Sequence, residues 1–305
     1  MAEIRAYEPE DAEQAAGLIA GAMPQPTAIT ATTMRHWVDG APARAQTRVW
    51  VAEDGGELIG WGDARLRWAI ADEGITDVWV TVRADRRGQG IGSRLAVLVE
   101  GHVRELSARK ISTFVREDEP GSLAFAVERG YAETRREYSW ILYLEGISLD
   151  APELPDGFRL VRLQELRARE RELFDLYDAA HRDMPADHPY ALEFDEWRTE
   201  TLENPELDFE ASSVVLAGDR LVSFAWITSA HEGGGGMHEL TGTLPEYRGR
   251  GLARAAKVAT IRWAAETGLR FLVTSNDDTN APMLALNERL GYEPRTTIIE
   301  LAKDA

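Results

Sequence analysis

At 305 residues the chain is long enough for two domains of ordinary size, each able to bury a core without covalent staples. It has no cysteine, which excludes disulfides, thiolate metal sites and a cysteine nucleophile. A formal charge of −18 argues against nucleic acid as a partner, since that binding rests on neutralising phosphates; it suits a cationic small substrate, and solubility alone accounts for it as well. No apolar run reaches the ~18 residues of a membrane span and the start of the chain lacks a basic, apolar leader pattern, so a soluble cytoplasmic protein without metal is expected.

In chain order, the patterning predicts a strand at 4–7, a helix at 11–20, a variable stretch containing Trp37, and a hairpin whose arms, 49–52 and 58–61, turn at Asp54-Gly55-Gly56. A strand at 77–82 follows, then the glycine-rich run Arg86-Arg87-Gly88-Gln89-Gly90-Ile91-Gly92, then a helix. Its residues Leu95, Leu98, Val99, His102, Val103 and Leu106 keep the i, i+3, i+4, i+7 spacing of one buried face, with His102 read as a packed histidine. A strand at 111–115, a helix ending at Gly130 and a strand at 137–144 complete the first half. The Pro-, Gly- and Asp-containing stretch 146–157 reads as a linker, which divides the chain into domains 1–145 and 158–305. The second half repeats the order: a strand at 158–163, a helix at 165–180, a stretch containing Trp197, and a hairpin of 214–217 and 221–227. A flexible loop at 233–236 precedes a strand at 238–243, a second glycine run, a helix, a strand at 270–274, a helix ending at Gly291 and a strand at 296–301.

The second glycine run is Tyr247-Arg248-Gly249-Arg250-Gly251-Leu252-Ala253. Gly90 and Gly251 are 161 residues apart, and the same offset links Gly130-Tyr131 to Gly291-Tyr292 and Met23-Pro24 to Met184-Pro185. Three landmarks in one register mark a duplicated domain. In each copy the run sits where a strand hands over to a helix, and main-chain N–H groups at a helix start bind anions. A plain strand-to-helix turn explains one glycine, not the pattern twice. A dinucleotide fingerprint opens almost directly from its strand, whereas Arg83 to Arg87 intervene here and the third glycine is misplaced. A diphosphate cradle fits better. Gly88, Gly90 and Gly92, or Gly249 and Gly251, allow close approach, and Arg87, Arg248, Arg250, Arg94 and Arg254 bring positive charge.

The segment from Val82 to Ser93 resembles the acyl-CoA signature R/Q-x-x-G-x-G/A of the GNAT acetyltransferase superfamily. Arg87, Gly90 and Gly92 fill its defined positions, as do Arg248, Gly251 and Ala253. The stretch from Thr274 to Tyr292 is similar to the family's second cofactor motif, and that from Val115 to Tyr131 is a more degenerate version. The resemblance covers about a third of each half. It implies an α+β protein of two tandem domains, each a mixed, largely antiparallel sheet flanked by helices. It also implies acetyl-CoA as cofactor and transfer of an acetyl group to a small-molecule amine by direct attack. A non-catalytic acyl-CoA sensor and a peptide N-acetyltransferase stand as alternatives.

By the same resemblance the cofactor contacts fall on Val80, Val82, Arg87, Gly88, Gln89, Gly90, Gly92 and Ser93 in the first half. In the second they fall on Thr241, Thr243, Arg248, Gly249, Arg250, Gly251, Ala253, Arg254, Asn276 and Asn280. The strand before the glycines would pair with the pantetheine arm, a main-chain N–H there stabilising the oxyanion. Glu239 is the expected base, with a solvated edge carboxylate as its plainer reading and His238 on the opposite face in reserve; the 161-residue offset sets Val78 against Glu239 and Asp77 against His238. The family's tyrosine acid is replaced by Ala126 and Asn287, and Tyr131 and Tyr292 are read as packed. Transfer is therefore assigned to the second domain. Asn276 and Asn280 have loop and cap duty as their plainer reading. Trp37, Trp61, Trp197, Trp226 and Tyr190 could line acceptor pockets or simply fill the core.

Overall fold

The computed structural model describes residues 2–182, 184, 188–230 and 234–305; Pro185 of the repeat register and Gly233 of the expected loop lie outside the described residues. The first half runs β1 (Glu3–Ala6), α1 (Ala12–Ala22), α2 (Ala31–Asp39), β2 (Arg48–Asp54), β3 (Glu57–Leu66), β4 (Ile75–Val82), α3 (Ile91–Glu105), β5 (Lys110–Arg116), α4 (Pro120–Val127) and β6 (Ala132–Tyr143). The second runs β7 (Phe158–Arg162), α5 (Glu170–Arg182), α6 (Phe194–Trp197), β8 (Ser213–Ala217), β9 (Arg220–Ala230), β10 (Gly235–Thr243), α7 (Leu252–Glu266), β11 (Phe271–Asp277), α8 (Ala281–Arg289) and β12 (Glu293–Asp304). Helix α2 is new relative to the sequence reading. Its start is fixed by a reciprocal threonine cap, Thr30 Oγ1 accepting from Thr33 N at 3.1 Å while Thr30 N donates to Thr33 Oγ1 at 3.0 Å.

Two compact units emerge, and they cross the boundaries read from the sequence. One comprises Met1–Tyr138 with Thr296–Ala305, the other Ser139–Arg295. The last strand of the chain therefore completes the first unit: β12 runs antiparallel to β5 from Ile298 opposite Arg116 to Asp304 opposite Lys110. In the second unit the end of β6 takes the equivalent place beside β11. Stretch 146–157, read as a linker, is part of the second unit, where Ile147 and Leu149 pack on its core.

In the first unit the order is β1-β2-β3-β4-β5-β12, antiparallel except for β4 with β5. Helices α1 and α2 cover one face through Ile19, Met34 and Trp61. Helix α3 covers the other with Ile91, Leu95, Val99 and Val103. Gly60 and Gly62 are small because α3 lies on them; a Cβ there would come within 3.0 Å of Leu95 and 3.1 Å of Val99. His102 is packed as expected, its Nε2 2.8 Å from Gln46 O, whereas Leu98 is exposed at the edge of the stripe. The second unit has the order β11-β10-β9-β8-β7 outward from β6, with Leu173, Phe174, Trp197 and Trp226 under α5 and α6 and Ile227, Val258, Ile261 and Leu272 under α7. Gly235 and Gly236, expected in a loop, open β10 instead; the ring of Phe271 occupies the space a Cβ at Gly235 would need, 2.2 Å away.

Candidate active site

Each unit contains one pair of parallel neighbours that part company. Strands β4 and β5 pair only from Ile75–Lys110 to Asp77–Ser112, and β10 and β11 only from Gly235–Phe271 to Met237–Val273. Beyond those points each ladder stops and the glycine run follows. Gly88 and Gly90 have φ of 73° and 78°, Gly249 and Gly251 of 74° and 78°, values that favour glycine. Gly90 and Gly251 are the N-caps of α3 and α7, and no side chain caps either start, so the first helical N–H groups face outward unclaimed. Beyond the adjoining residues, no atom lies within 4 Å of a Cβ built on any of the four glycines. The result is an exposed cradle of main-chain donors suited to a diphosphate.

The arginines divide the two cradles. Arg87 Nε donates to Val82 O at 3.1 Å, and Arg248 Nε donates to Thr243 O at 3.0 Å, the same contact in both copies. In the first unit Arg87 also pairs with Glu119 at 2.7 Å, Arg94 donates to Ala2 O at 2.8 Å, and Arg129 reaches Ser93 Oγ at 2.8 Å. Val80 and Val82 pack on α3, Val82 Cγ2 lying 3.5 Å from a Cβ built on Gly92, while Gln89 is exposed. In the second unit the residue matching Glu119 is Asn280, which caps α8 towards Met283 N. Arg254 is exposed and has no hydrogen-bond or ion-pair partner among the described residues. Arg250 lies over the rings of Tyr247 and Phe158, and Ala253 packs beside the core. Thr243 Oγ1 is 2.7 Å from Ser223 Oγ, and Thr241 pairs with Ala225.

Strand β10 differs from β4 by one residue. The β3–β4 ladder is unbroken from Gly60–Val82 to Leu66–Thr76, whereas the β9–β10 ladder shifts register between His238 and Thr241. Before the shift the repeats match at an offset of 160 (Ile75 beside Lys110, Gly235 beside Phe271), and after it at 161. This corrects the alignment read from sequence: Val78 corresponds to His238 and Asp77 to Met237. The extra residue falls in the bulge that carries Glu239. Glu239 is exposed, accepts from Thr228 Oγ1 at 2.7 Å, and is still crowded by protein; that desolvation, with Glu200 and Glu206 nearby, pushes its carboxyl above the ordinary range. Beside it Tyr177 stacks on Trp226 at 5.3 Å and Tyr190 on His181 at 4.1 Å, and burial lowers His181 to about 4, leaving it neutral. Trp197 and Trp226 are core residues, and Tyr190 is half-buried.

His238 points to the other face. It is buried, its Nδ1 2.6 Å from Tyr292 Oη, and burial with the nearby Lys257 charge holds its pKa well down. Asn287, at the family's tyrosine position, is fully buried, accepts from Lys257 Nζ at 2.8 Å and donates to Asn276 Oδ1 at 2.6 Å. Asn276 is thus turned partly inward, and Asn280 does the capping of its plainer reading. Ala126 is buried. Lys257 is itself buried, 5.0 Å from the Tyr292 ring, with its pKa lowered to about 7 by desolvation. Nothing in the sequence marks Lys257 beyond its place in an apolar helix face. Among the described residues no cluster of His, Asp and Glu could hold a metal, and no helix is long and apolar enough to cross a membrane.

Comparison with known proteins agrees with this arrangement. The profile of the acetyltransferase (GNAT) family matches twice, at residues 21–131 and 171–292. Mycothiol acetyltransferase of Thermobispora bispora is 29% identical over 83% of this chain and 82% of its own length, and that of Nocardiopsis dassonvillei is 26% identical over 86% and 82%. Among solved structures, a tandem GNAT protein from the clavulanic acid biosynthesis pathway aligns over 100% of this chain and 98% of its own, with a TM-score of 0.79 at 20% identity. A GCN5-related N-acetyltransferase from Sphaerobacter thermophilus aligns over 99% and 95% with a TM-score of 0.74 at 22% identity. With two family domains on one chain, each keeping the cradle and the parted strands, the protein belongs to the GNAT family and is an N-acetyltransferase.

Proposed function

We propose that the second unit transfers an acetyl group from acetyl-CoA to a small-molecule amine, with Glu239 as the base. The observation that carries this reading is the bulge in β10. It places the partly desolvated Glu239 on β10 just past the point where pairing with β11 ends, and β4 has no counterpart. Acetyl-CoA, when bound, supplies the acyl group as a reactive thioester. The residues that would hold its diphosphate are Gly249, Gly251 and the first N–H groups of α7, with Arg248, Arg250 and Arg254 around them; Thr241 and Thr243 lie on the strand edge along its arm. Glu239 accepts a proton from the incoming ammonium, which must be neutral to attack. Its raised pKa fits that task, since a proton acceptor works best near the operating pH. No phenol stands at the usual acid position, so water is left to protonate the departing thiolate. Relatives named mycothiol acetyltransferase, matched over more than four fifths of both chains, support a small acceptor.

In the first unit Glu119 competes for Arg87, and its role is binding rather than transfer. The test is Glu239→Gln assayed by CoA release with a panel of amines. The rate constant should fall about 10²- to 10⁴-fold with acetyl-CoA affinity unchanged. A variant with the wild-type rate constant overturns the assignment.

A further inference from the structure

Asp63 belongs to no part of the site described above. It sits within β3 of the first unit, opposite Val49 on β2 and Trp79 on β4. Directly opposed residues of an antiparallel ladder share a face, as do residues two apart along a strand. Trp61, Asp63 and Trp79 therefore look towards the side that α1 and α2 cover. There Tyr7 meets Trp61 edge-on at 5.5 Å between ring centres, and Trp37 meets Trp79 at 6.5 Å. Trp61 Nε1 donates to Asp63 Oδ1 at 2.7 Å, and no cationic side chain bonds that carboxylate among the described residues. Arg65, two residues along the strand and opposite Asp77, makes no hydrogen bond or ion pair with Asp63, though its charge partly offsets the burial of that carboxylate. Asp63, Trp37 and Trp79 are only half-buried, so solvent reaches the carboxylate although rings crowd it. That crowding pushes Asp63 up to about 6.

The same strand pair in the second unit makes the comparison informative. Ala64 faces Val78 where Ile227 faces His238, so Asp63 occupies the place of Trp226, and Trp79 lies where the bulge of Glu239 and Leu240 begins. One unit sets an indole on the inner hairpin strand and a carboxylate on the next; the other sets the carboxylate first and the indole second. Both arrangements put one negative charge among aromatic rings on the face that would receive an acceptor.

We propose that the first unit carries its own pocket for an alkylammonium group, with Asp63 as the counter-charge and Trp61, Trp79 and Trp37 as its aromatic walls. A cation over indole faces is attracted by the ring quadrupole, and the attraction grows as the site is desolvated. A carboxylate with no cation bonded to it in such a place is costly until a ligand neutralises it. The pocket is a binding site and not a second transfer centre, because β4 is unbulged and Arg87 is tied to Glu119. That distinction rests on the proposed function, whereas the binding of an ammonium group is read separately from transfer.

The experiment uses the full chain with 15N-labelled indoles, titrated with benzylammonium chloride and, in parallel, with neutral benzyl alcohol. Trp61 and Trp79 indole signals should shift saturably with the cation alone. Asp63→Asn, which keeps an acceptor for Trp61 Nε1, should weaken the response at least tenfold, while Glu239→Gln leaves it unchanged. Trp79→Leu, with Asp63 intact, should weaken it similarly and serves if Asp63→Asn does not fold. Equal shifts with benzyl alcohol, a wild-type response in the Asp63 or Trp79 variant, or loss in Glu239→Gln instead would overturn the proposal.

Discussion

The paired substitutions Gly90→Glu and Gly251→Glu ask which cradle serves transfer, and the structure makes them a controlled pair. Both glycines sit at φ 78° and a Cβ on either would meet nothing within 4 Å beyond its own stretch of chain, so neither variant meets a clash with the rest of the fold. What remains is left-handed strain, about 1–2 kcal/mol for a residue with a Cβ, and it is the same in both units. Stability should therefore fall equally, read as matching shifts of the urea midpoint. The added carboxylate does not act equally. At the mouth of a diphosphate site, one unit charge about 4 Å from a phosphate oxygen repels by roughly 1 kcal/mol in bulk water and about 4 kcal/mol near a protein surface. That corresponds to a loss of acetyl-CoA affinity between about fivefold and several hundredfold. Thiol release with amine acceptors should then collapse in Gly251→Glu and persist in Gly90→Glu. The opposite outcome would move transfer to the first unit, and full activity in both would remove the cradles from cofactor binding altogether.

Three further outcomes follow from the same geometry. As the proposed base Glu239 must be deprotonated, so the rate constant should rise with pH through a carboxyl pKa above the ordinary range, and that limb should vanish in Glu239→Gln; a wild-type profile flat from the ordinary carboxylate range upward would contradict it. For Asp63 the folded pKa, about 6, exceeds its ordinary 3.8, so the folded state holds the proton more tightly and stability falls as pH rises between those values. The span is worth at most about 3 kcal/mol, and Asp63→Asn should abolish that part of the pH dependence of the urea midpoint. Ending the chain at Arg295 should unfold the first unit, mapped by proteolysis within 2–138. It removes Ile299 and Leu301, each 1% exposed and worth about 1.5–3 kcal/mol, and leaves Arg67 and Arg135 without buried Glu300. Cleavage confined to the second unit would contradict that.

The glycine-rich helix starts were legible because glycine spacing and helix periodicity are local signals. The turns into α3 and α7 at Gly88–Gly90 and Gly249–Gly251 and the packed His102 needed only short stretches of chain. The destination of β12 was not legible. Its alternating apolar residues declare a strand with a buried face, but that pattern fits either sheet, and only the ladder with β5 shows that Ile299 and Leu301 fill the first unit. Asp63 was equally hidden, since a lone aspartate in a hairpin reads as polar decoration until Trp79 is set opposite it.

The alignment of Val78 with Glu239 failed for a more instructive reason. The glycine runs fix the offset at 161, and counting backwards from them assumes that both strands have the same length up to the ladder. The structure shows one more residue in β10, absorbed between His238 and Thr241. An insertion in a strand interior normally flips every later side chain to the wrong face. A bulge confines the error to one position: Thr241 and Thr243 keep the face that Val80 and Val82 hold in β4, while the surplus position turns towards α5. Two copies of one fold can therefore keep the same glycine-rich helix start and differ, through a single residue, in the side chains that the strand before it presents. The divergence lies upstream of the motif that identifies the family, where a search for that motif does not look.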